Sequence, residues 1–159
     1  MGEGKTLLLG IDLTDDCTQI SMYQMSSKDT TSISMSLDGS NPLIPTCLLI
    51  KESTKDWAFG EEAQKIHSLS GGIFIDHLLA RIRQDEPVVV FDTTLTPLML
   101  LSKYFKKLLS YIRQHFLNCT IAQLVITMDD MSNKMVDAIY ESLKPLGLER
   151  DRVKIISRV

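Results

Sequence analysis

Three things are scarce in this sequence, and each scarcity closes off a class of function. Cysteine occurs three times in 159 residues, at Cys17, Cys47 and Cys119, with no Cys-x-x-Cys spacing. These read as small apolar core residues rather than metal ligands. His67, His77 and His115 form no i, i+4 pair and join no cysteine or carboxylate cluster with zinc spacing. Basic charge is also lacking: 17 Lys and Arg against 20 Asp and Glu give a net charge of -3. Such a balance provides no field for gripping phosphate backbones, so nucleic acid is not expected as a partner. Finally, long apolar runs are missing. The richest window, from Leu95 to Leu109, is interrupted by Ser102, Lys103, Lys106 and Lys107, which rules out a bilayer span there. The opening MGEGKTLLLG has too short an apolar run before Asp12 to act as a secretion signal. The expectation is a cytoplasmic protein with no membrane partner.

What is present fits one compact domain or one lobe of something larger, with 44% apolar and 23% charged residues. In LLLGIDLTDDCTQISMY, Leu7, Leu9, Ile11 and Leu13 fall on one face of a strand and Leu8, Gly10 and Asp12 on the other. Both faces are apolar until Asp12, the pattern of a central strand covered on both sides with a carboxylate emerging at its C-terminal end. Thr14, Asp15 and Asp16 then turn the chain into a second strand. In TSISMSLDG the serines alternate with Ile33, Met35 and Leu37, and Asp38-Gly39 marks a turn. Three strands with short turns predict an antiparallel meander.

From Asn41 to about Thr94 the texture changes. A short strand TCLLI, the aromatics Trp57 and Phe59, a helix GEEAQKIHS, an amphipathic IDHLLARIRQ and a strand VVVF follow in close order. Thr96-Pro97 signals a helix start. Leu98, Leu101, Phe105, Leu108, Ile112 and Phe116 continue at helical spacing. IAQLVIT reads as a buried strand, Ser132 to Leu146 as a helix capped by Gly147, and RVKII as a last strand. The fold class expected is α/β with a mixed sheet: a β-β-β meander followed by α-β-α-β. Residues 1–40 and 94–159 would form the core and 41–93 an inserted subdomain.

That order resembles the first half of the actin-like ATPase fold, a ribonuclease H-like half-lobe, and is most similar to the seventy-kilodalton heat-shock chaperones. The resemblance rests on Gly-Ile-Asp-Leu at 10–13, on LIPTCLLI, on WAFGEEAQ, and on AQLVITMDD with the helix and strand after it. It implies that Asp12, Leu13, Thr14, Asp15 and Asp16 stand where the family keeps its first phosphate loop. It also implies that the nucleotide site needs a second lobe, so that this chain is a fragment of a longer protein.

The residues at those positions suit phosphate poorly. Thr14 replaces a glycine, and a Cβ resists the close approach that glycine permits. Asp15 and Asp16 replace hydroxyl residues. At about 5 Å, each carboxylate opposes a phosphate by about 1 to 3 kcal/mol. No lysine lies between Lys65 and Lys103 to supply the chaperones' catalytic lysine; Arg81 and Arg83 are imperfect stand-ins. ATP and Mg²⁺ are therefore disfavoured as cofactors. Asp15 and Asp16 read either as solvated turn residues or, with Asp12, as ligands of a hard cation. Asp129 and Asp130 either join that group or serve as helix N-terminal charge. Two functions stay open: a non-catalytic interaction or regulatory module that works through a protein partner, and the first portion of an active ATPase.

Overall fold

The computed structural model describes residues 5–24, 33–35, 43–115 and 119–158. Its main sheet has six strands. β1 (Lys5–Leu13) lies at the centre, antiparallel to β2 (Cys17–Gln24) on one side and parallel to β10 (Cys119–Met128) on the other. β11 (Val153–Ser157) adds parallel to β10. The far edge of β2 is shared: β3 (Ile33–Met35) pairs with Ile20 to Met22, and β4 (Leu43–Pro45) with Cys17 to Gln19. The meander and the parallel strand-helix-strand unit are both present, so the fold is α/β with a mixed sheet. The Asp38-Gly39 turn and Phe116 fall outside the described residues.

β1 is covered unequally. Leu7, Leu9, Ile11 and Leu13 are fully buried, whereas Leu8 and Gly10 are half-buried and Asp12 is exposed. The buried face meets Leu124, Ile126 and Met128 of β10 and Ile20 and Met22 of β2 in one core. Two long helices complete it. In α3 (Pro97–His115) the Thr96 hydroxyl accepts the Met99 N–H at 3.2 Å, the expected cap. Its buried stripe is Leu100, Leu101, Tyr104, Phe105, Leu108, Leu109 and Ile112. Leu98, expected on that stripe, is exposed together with Met99. α4 (Asn133–Leu143) is capped by Ser132, whose hydroxyl accepts the Met135 N–H. The α-helix ends sooner than its apolar spacing suggests, because Pro145 has no N–H to continue the ladder. A 3₁₀ turn, Lys144–Leu146, finishes it, and Gly147 follows at φ 83° with its N–H on the Lys144 carbonyl.

Between β4 and α3 the elements are short. β5 (Leu48–Ile50) is the middle of a three-stranded antiparallel sheet with β6 (Trp57–Phe59) and β7 (Ile73–Ile75). α1 (Gly60–Ser70) contributes Ala63 and Ile66 to a small core with Cys47, Leu49, Ala58 and Phe74. The other face of this sheet joins the main core through Leu48, Ile50 and Ile75. α2 (Leu78–Gln84) follows, burying Leu78, Leu79 and Ile82. The stretch VVVF splits: β8 (Val88–Val90) and β9 (Thr93–Leu95) form a separate hairpin across Phe91 and Asp92, both at positive φ.

Cys47 is enclosed in the small core and donates its thiol to the Gly60 carbonyl at 3.4 Å. Burial pushes its pKa up to about 11. The folded state therefore holds this proton more tightly than the unfolded chain. The resulting stabilisation is fully present below the ordinary thiol range and is lost as pH rises through about 11. Maleimide labelling at neutral pH should reach Cys47 only in denaturant, as mass spectrometry of the labelled peptide would show. Rapid native labelling would contradict the enclosure.

Candidate functional site

The C-terminal ends of parallel strands in an open sheet gather side chains on one edge. Here Asp12 sits one residue before the end of β1, Asp129 and Asp130 follow β10, and Arg158 follows β11. The Arg158 N–H bonds the Met128 carbonyl at 3.0 Å, which holds the residue across the strand ends. Its guanidinium donates to the Asp12 carboxylate, to both Asp129 oxygens at 3.3 Å, and to the Leu13 carbonyl at 3.4 Å. A second arginine repeats the arrangement. Arg83, at the end of α2, lies 3.4 Å from Asp130 and 3.7 Å from Asp15.

Asp15 is not a free turn residue. Its two oxygens accept the backbone N–H groups of Leu79 at 2.7 Å and Ala80 at 3.1 Å. These are orphan donors of the first turn of α2, and the residue that opens that helix, His77, offers no side-chain cap. A carboxylate from the β1–β2 turn thus caps a helix more than sixty positions away. Asp130 accepts the Ser132 N–H at 2.9 Å. The Ser132 amide and hydroxyl, and then Arg83, hold its carboxyl below the usual range. Lys134 closes the far end of α2 by donating to Asp85 at 2.7 Å and to the Arg83 carbonyl at 3.2 Å.

The loop is closed by bonds between its two ends. Thr14 donates its N–H and its hydroxyl to the Cys17 carbonyl at 3.1 and 2.8 Å, and accepts the Cys17 N–H on the same hydroxyl at 3.1 Å. The Asp16 carbonyl takes the Thr46 N–H at 3.5 Å. Thr14 therefore closes the turn with its hydroxyl as well as its N–H, and glycine would lack the hydroxyl's bonds. Leu13 points into the core, and the Asp16 side chain is exposed.

Asp12, Asp15 and Asp16 are thus divided among three tasks: an ion pair with Arg158, a helix cap, and a solvated turn tip. Among the described residues no group of three or more His, Cys, Asp or Glu side chains is placed to hold a metal ion. Arg158 had no signal in the sequence, since nothing local marks an arginine after a last strand as the partner of a carboxylate 146 positions away. In the sequence Arg83 reads only as a lysine substitute; its closeness to Asp15 is purely tertiary.

Residues 29–159 match the model of a family of unknown function, the C-terminal part of DUF5716. The chain belongs to that family. No curated protein matches it. The family match corrects the resemblance to actin-like ATPases and heat-shock chaperones. The matched region, which begins beyond Gly-Ile-Asp-Leu, takes in the other three motifs of that likeness and assigns them to a different family. DUF5716 membership carries no activity with it. No described helix is long and apolar enough to cross a membrane.

Proposed function

We propose that this chain is a non-catalytic protein-interaction or regulatory module built on a ribonuclease H-like core. The fold part of the reading is supported by the strand order, with β1 between antiparallel β2 and parallel β10 and with β11 outermost. The functional part is carried by one observation: Asp12, Asp15, Asp129 and Asp130 around the strand ends are each engaged in an ion pair with Arg158 or Arg83. A catalytic edge needs carboxylates or N–H groups left open toward substrate or metal. Here Thr14 and Cys17 use their N–H groups on each other, and Asp15 is committed to α2. To seat a Mg²⁺-nucleotide, the edge would have to lose two ion pairs and a helix cap. On this reading the chain acts through protein partners, and its acidic balance makes nucleic acid a poor one.

Thermal unfolding with and without millimolar MgATP tests this reading on the protein as it is. A ligand at about a hundred times its dissociation constant adds about 2.7 kcal/mol and moves the midpoint by several degrees. No movement is expected. A clear rise with MgATP, absent with Mg²⁺ alone, would overturn the reading.

A further inference from the structure

The first turns of α3 hold an unusual pairing of apolar and cationic surface. Leu98 is 38% exposed and Met99 50%, although their helix is otherwise well packed. With Leu146 and Pro145 of the 3₁₀ turn they line a groove of about 440 Å³. Met99, Lys103 and Lys106 follow at i, i+4 and i+7, one line along the helix surface. The groove is therefore apolar at the start of α3 and cationic further along. Lys103 and Lys106 also border a second hollow of about 530 Å³, where Lys107, Trp57 and Tyr111 join them.

These three lysines are unbalanced. None makes an ion pair among the described residues, although the chain as a whole is acidic. Glu141 lines the first hollow and Glu62 the second, but neither is within ion-pair distance of these lysines. Lys103 packs over the Trp57 ring at 5.0 Å. Its pKa is lowered by burial and then by Lys106 and Lys107, as expected of cations crowded without a counter-charge.

Three occupants compete. Free phosphate would satisfy the lysines but leave Leu98, Met99 and Leu146 in water. A bilayer needs a protruding apolar face, whereas this one is a hollow between two helical elements. An amphipathic helix with acidic flanks uses both halves, in the recurring mode of a helix laid into a groove by anchors at i, i+3, i+4 and i+7. We propose that the groove between α3 and the 3₁₀ turn after α4 receives an acidic amphipathic helix of a partner protein. Its apolar anchors meet Leu98, Met99 and Leu146, its carboxylates meet Lys103 and Lys106 in the groove, and its last turn reaches Lys107 at the adjoining hollow. The inference deepens the interaction reading without depending on the nucleotide result: a chain indifferent to both MgATP and peptide would lose the groove assignment alone.

The probe is a fluorescein-labelled peptide of about five helical turns, with leucines at anchor spacing and glutamates beside them, titrated onto the whole chain by anisotropy. Saturable binding is expected. The double charge reversal Lys106→Glu with Lys107→Glu should weaken it about tenfold or more, with an unchanged melting midpoint showing that the fold is intact. A lysine-for-glutamate version of the peptide should ignore the native chain and bind the reversed variant. Met99→Glu, which places charge on the apolar end, should weaken the acidic peptide independently. Failure of the acidic peptide to bind, equal binding by a scrambled peptide, indifference to both variants, or full competition by millimolar phosphate would each overturn the proposal. So would co-sedimentation with phosphatidylserine vesicles in the absence of peptide binding.

Discussion

Replacing Tyr104 by alanine is expected to cost about 3–5 kcal/mol, the range for removing a large aromatic side chain from a packed core. Tyr104 is fully buried in the middle of α3 and meets Phe59 edge to face at 6.1 Å. Its hydroxyl lies 2.8 Å from Thr18 Oγ1 and 3.2 Å from the Pro45 carbonyl, and Thr18 in turn lies 2.8 Å from Thr46 Oγ1. One phenol therefore ties α3 to β2 and to the segment at β4. Burial raises its pKa, so the phenol stays protonated and available as a donor. Tyr104→Phe keeps the ring and removes only the hydroxyl. It should cost about 1–2 kcal/mol, because the threonine pair loses a partner it cannot replace with water. Urea unfolding separates the two contributions, with midpoints shifting at constant slope. A loss below about 1 kcal/mol for the alanine variant would mean that the core collapses around the gap or that the ring is not enclosed.

The second large effect is expected at Asp15. Asp15→Ala removes two bonds to the α2 amides and an ion pair with Arg83. Loss of a cap costs about 1 kcal/mol, and charged hydrogen bonds somewhat more, so about 2 kcal/mol is expected. Asp15→Asn keeps an acceptor oxygen and should recover part of it. Asp16→Ala, one position along but exposed, should stay within about 0.5 kcal/mol. Hydrogen exchange gives a local check: the Leu79 and Ala80 amides should lose protection in Asp15→Ala while β1 and β10 keep theirs. Equal behaviour of Asp15→Ala and Asp16→Ala would refute the capping role.

The parts of the fold legible in the sequence are those where periodicity runs long. A run apolar on both faces from Leu7 to Ile11 and ending at Asp12 identifies β1, and the repeat of α3 and the Ser132 cap of α4 show through as well. Strands of three residues do not. β6, β7 and β9 are too brief for an alternation to register, and their pairing is set by the chain around them. The exposure of Leu98 was invisible for a related reason, since spacing marks a face of a helix but not where its neighbour ends. At the strand ends, composition located the acidic residues correctly and could not assign them. Whether a carboxylate binds metal, caps a helix or pairs with arginine depends on what arrives from elsewhere, and both arginines arrive through tertiary structure. The four motifs that resemble the actin-like ATPases are each only a few residues long, too short to fix a family.

The central position of β1 bears on how the protein is made. Its parallel neighbour β10 begins at Cys119, so more than a hundred residues must leave the ribosome before the first strand finds its second partner. At about 5–20 residues per second, that is a wait of roughly 5–20 s with one strand edge unfilled. During it, the nascent hairpin of β1 and β2 would expose Leu7, Leu9 and Ile11 to whatever is nearby. Sequence-distant pairing of this kind slows folding, and newly synthesised chains would depend on holding factors until the last third has emerged.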